Sequence, residues 1–359
     1  MAIALVLGGL FLLVVGGEWL IRGAARLAAA ARIAPVVIGL TVVAFGTSAP
    51  ELAVSIQASL SGKSQVALGN VAGSNIFNIL FILGLSALLV PLSVAMRLLW
   101  WDVPLMIAAS ALVMILGWDG TLSRWDGLLL VAGVLAYTVW AVVQARCEGP
   151  RVHHEYEDQF GAAPRGWKAV LLEVARIAAG LGLLALGSRW LVNGAVEIAR
   201  LLGISELIIG LTIVAAGTSL PEVVASVVAG LRGQQDIAVG NVVGSNLFNL
   251  LAVLGCSATV APSGLAVPQE ALEFDLPVML AAAAACLPIF FTGHCIARWE
   301  GALFLAYYAI YLAHLILGAT ASPSIRSFDR VIGLVVIPLT VITLGIGVIR
   351  ALRPPPRCP

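Results

Sequence analysis

Charge is scarce in this sequence. Lys, Arg, Asp and Glu make up 11% of its 359 residues, against 60% hydrophobic residues, and the mean hydropathy is +1.03. A soluble core cannot absorb so much apolar surface, so the composition excludes a water-soluble domain and predicts an integral membrane protein. The formal net charge of +1, with basic residues scattered between apolar runs, excludes a nucleic-acid surface. Cys147, Cys256, Cys286, Cys295 and Cys358 show no CxxC or Cys/His spacing, so neither a zinc site nor a disulfide framework is indicated. There is no nucleotide loop and no nucleophile paired with a base, so nothing points to an enzyme or to a cofactor. The one clearly polar stretch, RCEGPRVHHEYEDQFGAAPRGW at 146–167, is too short for a folded domain and reads as a linker in which His153 and His154 are solvated.

What is abundant is apolar runs long enough to cross a bilayer. The first, 2–21, has no basic leading region or small-residue cleavage site and reads as a retained span. Arg22, Arg26 and Arg32 follow on a short Ala-rich stretch. Further spans are expected near 34–60, 65–90, 99–117 and 125–145, then near 168–191, 205–231, 236–260, 271–292 and 298–318. An eleventh run lies at 331–349, ahead of a basic, proline-rich tail.

The runs repeat. GLTVVAFGTSAPELAVSIQASLSGKSQVALGNVAGSNIFNILFILG at 39–84 returns at 210–255 without a gap at an offset of 171, and 26 of 46 positions are identical. The identities fall on Gly, Thr, Ser, Pro, Glu and Asn, which marks duplication rather than shared apolar composition. The expected fold class is therefore all-α: a polytopic membrane protein of two five-helix repeats, ten transmembrane helices, plus an eleventh C-terminal helix. The expected organisation is a first repeat at 1–145, a linker at 146–167, a second repeat at 168–318, and the extra span and tail at 319–359. Five spans per half reverse the second copy, giving an inverted repeat. Of the Lys and Arg residues assigned to a side, 13 share the side of the linker and the C-terminus and five the other. The positive-inside rule then sets the linker and C-terminus in the cytoplasm and the N-terminus outside, in a plasma (inner) membrane.

Each copy carries a carboxylate inside an apolar span. In GTSAPE, Thr47 and Glu51 are spaced i, i+4 with Ser48 beside Thr47, and Pro50 lacks the N–H that would bond the carbonyl of Gly46, so the helix kinks and exposes backbone oxygen. GTSLPE repeats this with Thr218, Ser219, Pro221 and Glu222. Ser74 and Asn78, and equally Ser245 and Asn249, add oxygens at i, i+4 in the following span. A carboxylate at the centre of a membrane helix costs about 2.5–3.5 kcal/mol, and neither broken helix contains Lys or Arg to offset it. A mobile cation or proton is the expected partner, and an all-oxygen set without His or Cys suits Ca²⁺ and Na⁺ rather than zinc or copper. Two carboxylates match one Ca²⁺ or two Na⁺, so one site could serve both by competition. Asn75 and Asn246 point off that face and read as interhelical hydrogen bonders. Asn70 and Asn241 stay open between the two roles. Asp102 and Asp275 are expected to meet interfacial water, and Trp19, Trp100, Trp101, Trp118, Trp125, Trp190 and Trp299 to form interfacial belts.

At these motifs the sequence resembles the cation/Ca²⁺ exchanger superfamily, and is most similar to the prokaryotic sodium/calcium exchangers, over residues 1 to about 318. The resemblance implies an antiporter exchanging Na⁺ for Ca²⁺ at a shared midplane site, with those ions and the bilayer as its partners. It implies ligands at Glu51, Glu222, Thr47, Ser48, Ser74, Asn78, Thr218, Ser219, Ser245 and Asn249, and a carbonyl ligand at Ala44 or Ala215. Asn at both 78 and 249, where the potassium-dependent branch carries an Asp in one of the two copies, implies exchange without K⁺. GNVAGS and GNVVGS, where the proton-coupled branch resembles GNxxE, favour sodium coupling. A proton-coupled cation antiporter, a passive channel and an ion-sensing membrane protein remain the alternatives.

Overall fold

The computed structural model describes residues 1–31, 34–148, 166–203, 213, 215–320, 325, 332–336 and 345. Among these, helices dominate. Eight are long and apolar enough to cross a membrane, and a ninth crossing is a bent pair. They are α1 (Ala2–Ala31), the bent pair α2 (Val36–Thr47) and α3 (Ala49–Leu60), α4 (Ser64–Leu89), α5 (Leu98–Asp119), α6 (Arg124–Glu148), α7 (Trp167–Leu201), α9 (Gln235–Val260), α10 (Ala271–Phe291) and α11 (Arg298–Ala319). Shorter α8 (Leu220–Leu231) forms the end of the expected 205–231 span, whose residues 204–212 and 214 lie outside the described set. Most of the expected eleventh span, the tail from 350 onward and the linker from 149 to 165 also fall outside it.

Two helices exceed their expected lengths. α1 has 30 residues and α7 has 35, about 45 and 50 Å at 1.5 Å per residue, against about 30 Å of hydrocarbon. The expected runs stop ahead of Arg22 and at Leu191, yet the helices continue to Ala31 and Leu201, and charges along both find partners. Arg26 bonds Glu173 at 3.1 Å, Arg176 bonds the same carboxylate at 2.9 Å, and Glu18 holds both Arg22 and, at 2.8 Å, Arg232 beyond α8. Arg22 and Arg26 thus belong to α1 itself rather than to a separate stretch.

α1 and α7 pack antiparallel through glycines spaced seven apart, Gly9, Gly16 and Gly23 against Gly180, Gly187 and Gly194. A Cβ on Gly9 would fall 2.7 Å from the Gly187 carbonyl oxygen, and one on Gly16 would fall 2.9 Å from that of Gly180. Only hydrogen fits at either place, so the two backbones touch.

Burial separates the inner from the outer helices. The apolar windows of α4 and α9 are 78% and 94% buried, whereas those of α1 and α7 are 28% and 22%. The repeated motifs therefore sit in the centre, and the outer surface belongs to the plainer spans. Two short antiparallel ribbons tie connections from different halves of the chain: β1 (Leu92–Ser93) pairs with β4 (Cys295–Ile296), and β2 (Thr121–Leu122) with β3 (Leu265–Ala266). Cys295 is disulfide-bonded, which the cysteine spacing did not foresee, and its partner lies outside the described side chains. The tryptophans named above are exposed, from 39% for Trp190 to 80% for Trp125; Trp100, Trp101, Trp118, Trp125 and Trp299 stand near helix ends as an interfacial belt requires, whereas Trp19 and Trp190 lie well inside α1 and α7.

Candidate ion-binding site

The bent pair breaks at Ser48, whose ψ of 3° departs from the helix, and α3 leaves at 44° to α2. Pro50 sits in the first turn of α3, where its missing N–H costs no internal helix bond. Glu51 follows in the same turn. The second copy does the same: Ser219 has ψ of 8°, Pro221 stands in the first turn of α8, and Glu222 comes next. Proline thus starts a new half-helix in each copy rather than kinking a continuous one.

The carbonyl that Pro221 cannot bond belongs to Gly217, and Ser188 of α7 donates to it at 2.5 Å. The carbonyl of Ala44, an expected ligand, accepts the Ser48 N–H at 3.0 Å within the helix ladder. Ala215 lies in a single helical turn, Ala215–Gly217, and its side chain is outside the described set.

Both carboxylates are buried, Glu51 at 0% and Glu222 at 1% exposure. Each is held by the other half of the chain. Ser219 donates to Glu51 Oε1 at 2.9 Å, and Ser48 donates to Glu222 Oε1 at 3.2 Å. Ser74 joins the first pair, 3.2 Å from the Ser219 hydroxyl. The Thr47 hydroxyl donates back to the Val43 carbonyl at 3.1 Å and lies 3.3 Å from Asn241 Oδ1.

The remaining oxygens have no partner among the described residues. Glu51 Oε2, Glu222 Oε2, Asn78 Oδ1, Asn249 Oδ1, Ser245 Oγ and Thr218 Oγ1 are all shielded from solvent, and none makes a hydrogen bond among the described residues. Buried polar atoms are rarely left unsatisfied, and these can all serve as acceptors. No ion pair reaches Glu51 or Glu222 among the described residues. Two carboxylates, amide oxygens and hydroxyls without a basic residue match the hard-cation donor set, and Ca²⁺ takes 6–8 such oxygens.

Asn78 and Asn249 lie in π-helical stretches, Phe77–Leu83 of α4 and Asn249–Val253 of α9. Such local widening of a helix concentrates at functional sites. Nothing in the sequence periodicity announces it.

The structure gives Asn70 and Asn241 a hydrogen-bonding role between helices through their amide N–H groups. Asn70 Nδ2 donates to Ser55 Oγ at 2.9 Å and reaches the Glu51 carbonyl at 3.3 Å, while Asn241 Nδ2 donates to Ser226 Oγ at 2.9 Å and reaches the Glu222 carbonyl at 3.4 Å. They fasten each glutamate-bearing half-helix to its neighbour. Ser55 and Ser226 went unremarked in the sequence, although each stands four residues after its glutamate in both copies. Asn75 Nδ2 bonds across to the Asn246 carbonyl at 3.4 Å, the interhelical role expected of it, and Asn78 Nδ2 donates to Asn246 Oδ1 at 3.1 Å. Asp102 departs from expectation. It is fully buried, accepts the Tyr137 hydroxyl at 3.1 Å and pairs with Arg97 at 3.5 Å, so it braces α5 against α6 instead of meeting water. Asp275 is half-buried and accepts from Tyr311 at 2.9 Å.

Comparison with known proteins gives a concordant result. The family described as "Sodium/calcium exchanger protein" matches residues 1–143 and 172–317. A "Putative antiporter CaxA" from Alkalimonas amylolytica is 41% identical over 284 residues, 79% of this chain and 87% of that protein. "Sodium/calcium exchanger MaX1" from Methanosarcina acetivorans is 32% identical over 346 residues, covering 86% of this chain and 96% of its own length. Among solved structures, the sodium-calcium exchanger NCX_Mj soaked with 10 mM Na⁺ and zero Ca²⁺ superimposes with a TM-score of 0.75 at 30% identity, over 87% of this chain and 98% of that one.

Proposed function

Because this chain belongs to the sodium/calcium exchanger protein family, we propose that it is an antiporter exchanging Na⁺ for Ca²⁺ by alternating access at one central site. As a member of that family of cation/Ca²⁺ exchangers it is a membrane transporter and not an enzyme. One observation carries the reading: two buried carboxylates, each bonded by a serine of the other half, and at least four further buried oxygens of the repeated motifs without a hydrogen bond, have no basic residue paired to them among the described residues. We assign the ligands to Glu51, Glu222, Thr47, Ser48, Ser74, Asn78, Thr218, Ser219, Ser245 and Asn249. Ala44 and Ala215 could contribute only their carbonyls.

A transported ion must be stripped of water and then released. Glu51 and Glu222 offset the charge of one Ca²⁺ or of two Na⁺, and the neutral oxygens complete the shell. Occupation by one ion species then excludes the other, which is what exchange demands. Ser219 and Ser48 hold the carboxylates in place from the opposite half, so each glutamate reports the position of the other half of the molecule.

The transport reading includes ten spans in two inverted repeats, 1–145 and 168–318, joined by a cytoplasmic linker at 146–167. The ribbons support the inversion. Thr121 follows the fourth expected span and Leu265 precedes the ninth, while Leu92 precedes the fourth and Cys295 follows the ninth. With one span between the members of each pair of connections, β1 with β4 and β2 with β3 fall on matching sides only if the second half is upside down. Segment 319–359, with its apolar run at 331–349, is accessory in this reading, since every assigned ligand lies before it. An accessible tag near His153 should be cytoplasmic and the N-terminus external; an external linker tag would reverse the orientation.

Radiolabelled Ca²⁺ uptake into proteoliposomes with imposed Na⁺, H⁺ or K⁺ gradients tests the activity. Uptake should follow an outward Na⁺ gradient alone. Uptake driven by a proton gradient and indifferent to Na⁺ would assign the chain to proton-coupled exchange, and flux without any countergradient would make it a channel.

A further inference from the structure

The two asparagines assigned as ligands differ in how their amides are held. Asn78 on α4 donates its Nδ2 to Asn246 Oδ1 on α9 at 3.1 Å. Asn246 in turn points its own Nδ2 at the sulfur of Met106 on α5, 3.4 Å away. All three side chains are buried.

The sense of this relay is set at its far end. A carboxamide carries a donor and an acceptor on one planar fork, and turning it over exchanges them, whereas a thioether accepts and never donates. Met106 therefore holds Asn246 by its Nδ2, which leaves Asn246 Oδ1 to face Asn78, and Asn78 must offer Nδ2 to it. The amide atom left over is Asn78 Oδ1, which is shielded from solvent and makes no hydrogen bond among the described residues. Asn78 stands one helical turn after Ser74, whose hydroxyl lies 3.2 Å from that of Ser219, itself bonded to Glu51. Turned over, Asn78 would present an N–H donor where the site calls for oxygen.

The mirror relay is not made. Asn249 and Asn75 occupy the repeat positions of Asn78 and Asn246. Yet neither amide atom of Asn249, nor Asn75 Oδ1, has a hydrogen bond among the described residues. Asn75 Nδ2 goes instead to the Asn246 carbonyl at 3.4 Å and to the Met279 sulfur at 3.8 Å. One ligand amide is preset, and its counterpart is untied.

We propose that Asn246 is a positioning residue for cation binding, holding the Asn78 carboxamide with its oxygen free for the ion, and that Met106 fixes the sense of that hold. This role, which rests on the exchanger reading above, makes the two halves unequal: Asn246 acts on affinity through Asn78, and Asn75 has no such route.

Calorimetric titration of the purified full chain with Ca²⁺ in Na⁺-free detergent solution tests this. Asn246→Ala should raise the Kd about tenfold, the loss expected of one oxygen ligand, with the number of sites per chain unchanged. A merely structural role would lower the number of competent sites or the unfolding midpoint and leave the Kd of the folded fraction alone. On an Asn78→Ala background, itself about tenfold weaker, the same change should add less than about twofold, because its effect passes through Asn78. Asn75→Ala should move the Kd by less than about twofold. Met106→Leu conserves volume and should weaken binding about threefold, but not on the Asn78→Ala background, and it keeps the test valid should Asn246→Ala fail to fold. An unchanged Kd in Asn246→Ala, Met106→Leu or Asn78→Ala, additive losses with Asn78→Ala, or equal losses in Asn246→Ala and Asn75→Ala would overturn the proposal while the unmodified protein still binds Ca²⁺. Failure of the unmodified protein to bind Ca²⁺ would remove the exchanger reading itself, and this role with it.

Discussion

Ser219 and Glu51 are 168 residues apart in sequence and 2.9 Å apart in space, the hydroxyl of one repeat bonded to the carboxylate of the other. Ser48 and Glu222 answer with a bond of 3.2 Å in the opposite sense. Neither repeat contains a complete site, and the variants that test this arrangement follow from it.

Glu51→Gln and Glu222→Gln should each abolish Ca²⁺ transport. Either change removes one of two buried charges facing the ion, a loss on the order of 3 kcal/mol, or more than about 100-fold in affinity. Calorimetric titration with Ca²⁺ and proteoliposome uptake measure the two consequences. Full activity in either variant would refute the assignment.

Ser219→Ala and Ser48→Ala should be milder and alike. Each deletes one hydrogen bond to a carboxylate, worth about 1.5–3 kcal/mol, and each also removes a proposed ligand oxygen. The Ca²⁺ concentration for half-maximal uptake should rise roughly tenfold or more, with the protein still folded. A double-mutant cycle between Ser219→Ala and Glu51→Gln should show strong non-additivity. Additive losses would mean that the two residues act separately.

Gly16→Val and Gly187→Val should damage the α1–α7 pair, since even a Cβ at either position would fall 2.9 Å from a facing backbone oxygen. Overpacking of this kind costs about 1–3 kcal/mol or forces the helices apart. Gly182→Ala, on the same helix, has open space within 4 Å among the described residues and serves as the control. Thermal unfolding in detergent should show a lowered midpoint for the first two and none for the third.

Asn249→Asp should change ion coupling. It adds a third acid to the pair already present, and an additional monovalent cation is the simplest compensation. Na⁺-driven Ca²⁺ flux should be indifferent to K⁺ in the unmodified protein and should become K⁺-sensitive in the variant. Strict K⁺ dependence before any substitution would overturn the role given to Asn78 and Asn249.

Duplication is what made the site legible. A lone GTSAPE is ambiguous, but its return as GTSLPE with the same Ser and Asn partners identified both carboxylates and the hydroxyls now found beside them. Features outside the repeat were not legible. Ser188 occupies the place of Gly17 in the first copy, so its bond to the Gly217 carbonyl has no counterpart to signal it. The length of α1 was hidden because hydropathy ends the span at Arg22, whereas Arg22 and Arg26 pair with Glu18 and Glu173 and the helix runs on to Ala31. Asp102 was misread for the same reason: position near a span start says water, and only the fold brings Arg97 and Tyr137 to it.

The unpartnered oxygens also bear on leakage. An exchanger loses its gradient whenever the empty carrier changes sides, because each unloaded return lets an ion pass unrequited. To do so here the protein would shut Glu51 and Glu222 away from both aqueous faces with nothing between them. An unpaired buried charge costs several kcal/mol, and each neutral acceptor left bare adds about 1–3 kcal/mol. With cations aboard, those penalties vanish. If the assigned residues hold the cargo as proposed, the same atoms oppose slippage, and coupling then depends on the vacant site as much as on the filled one.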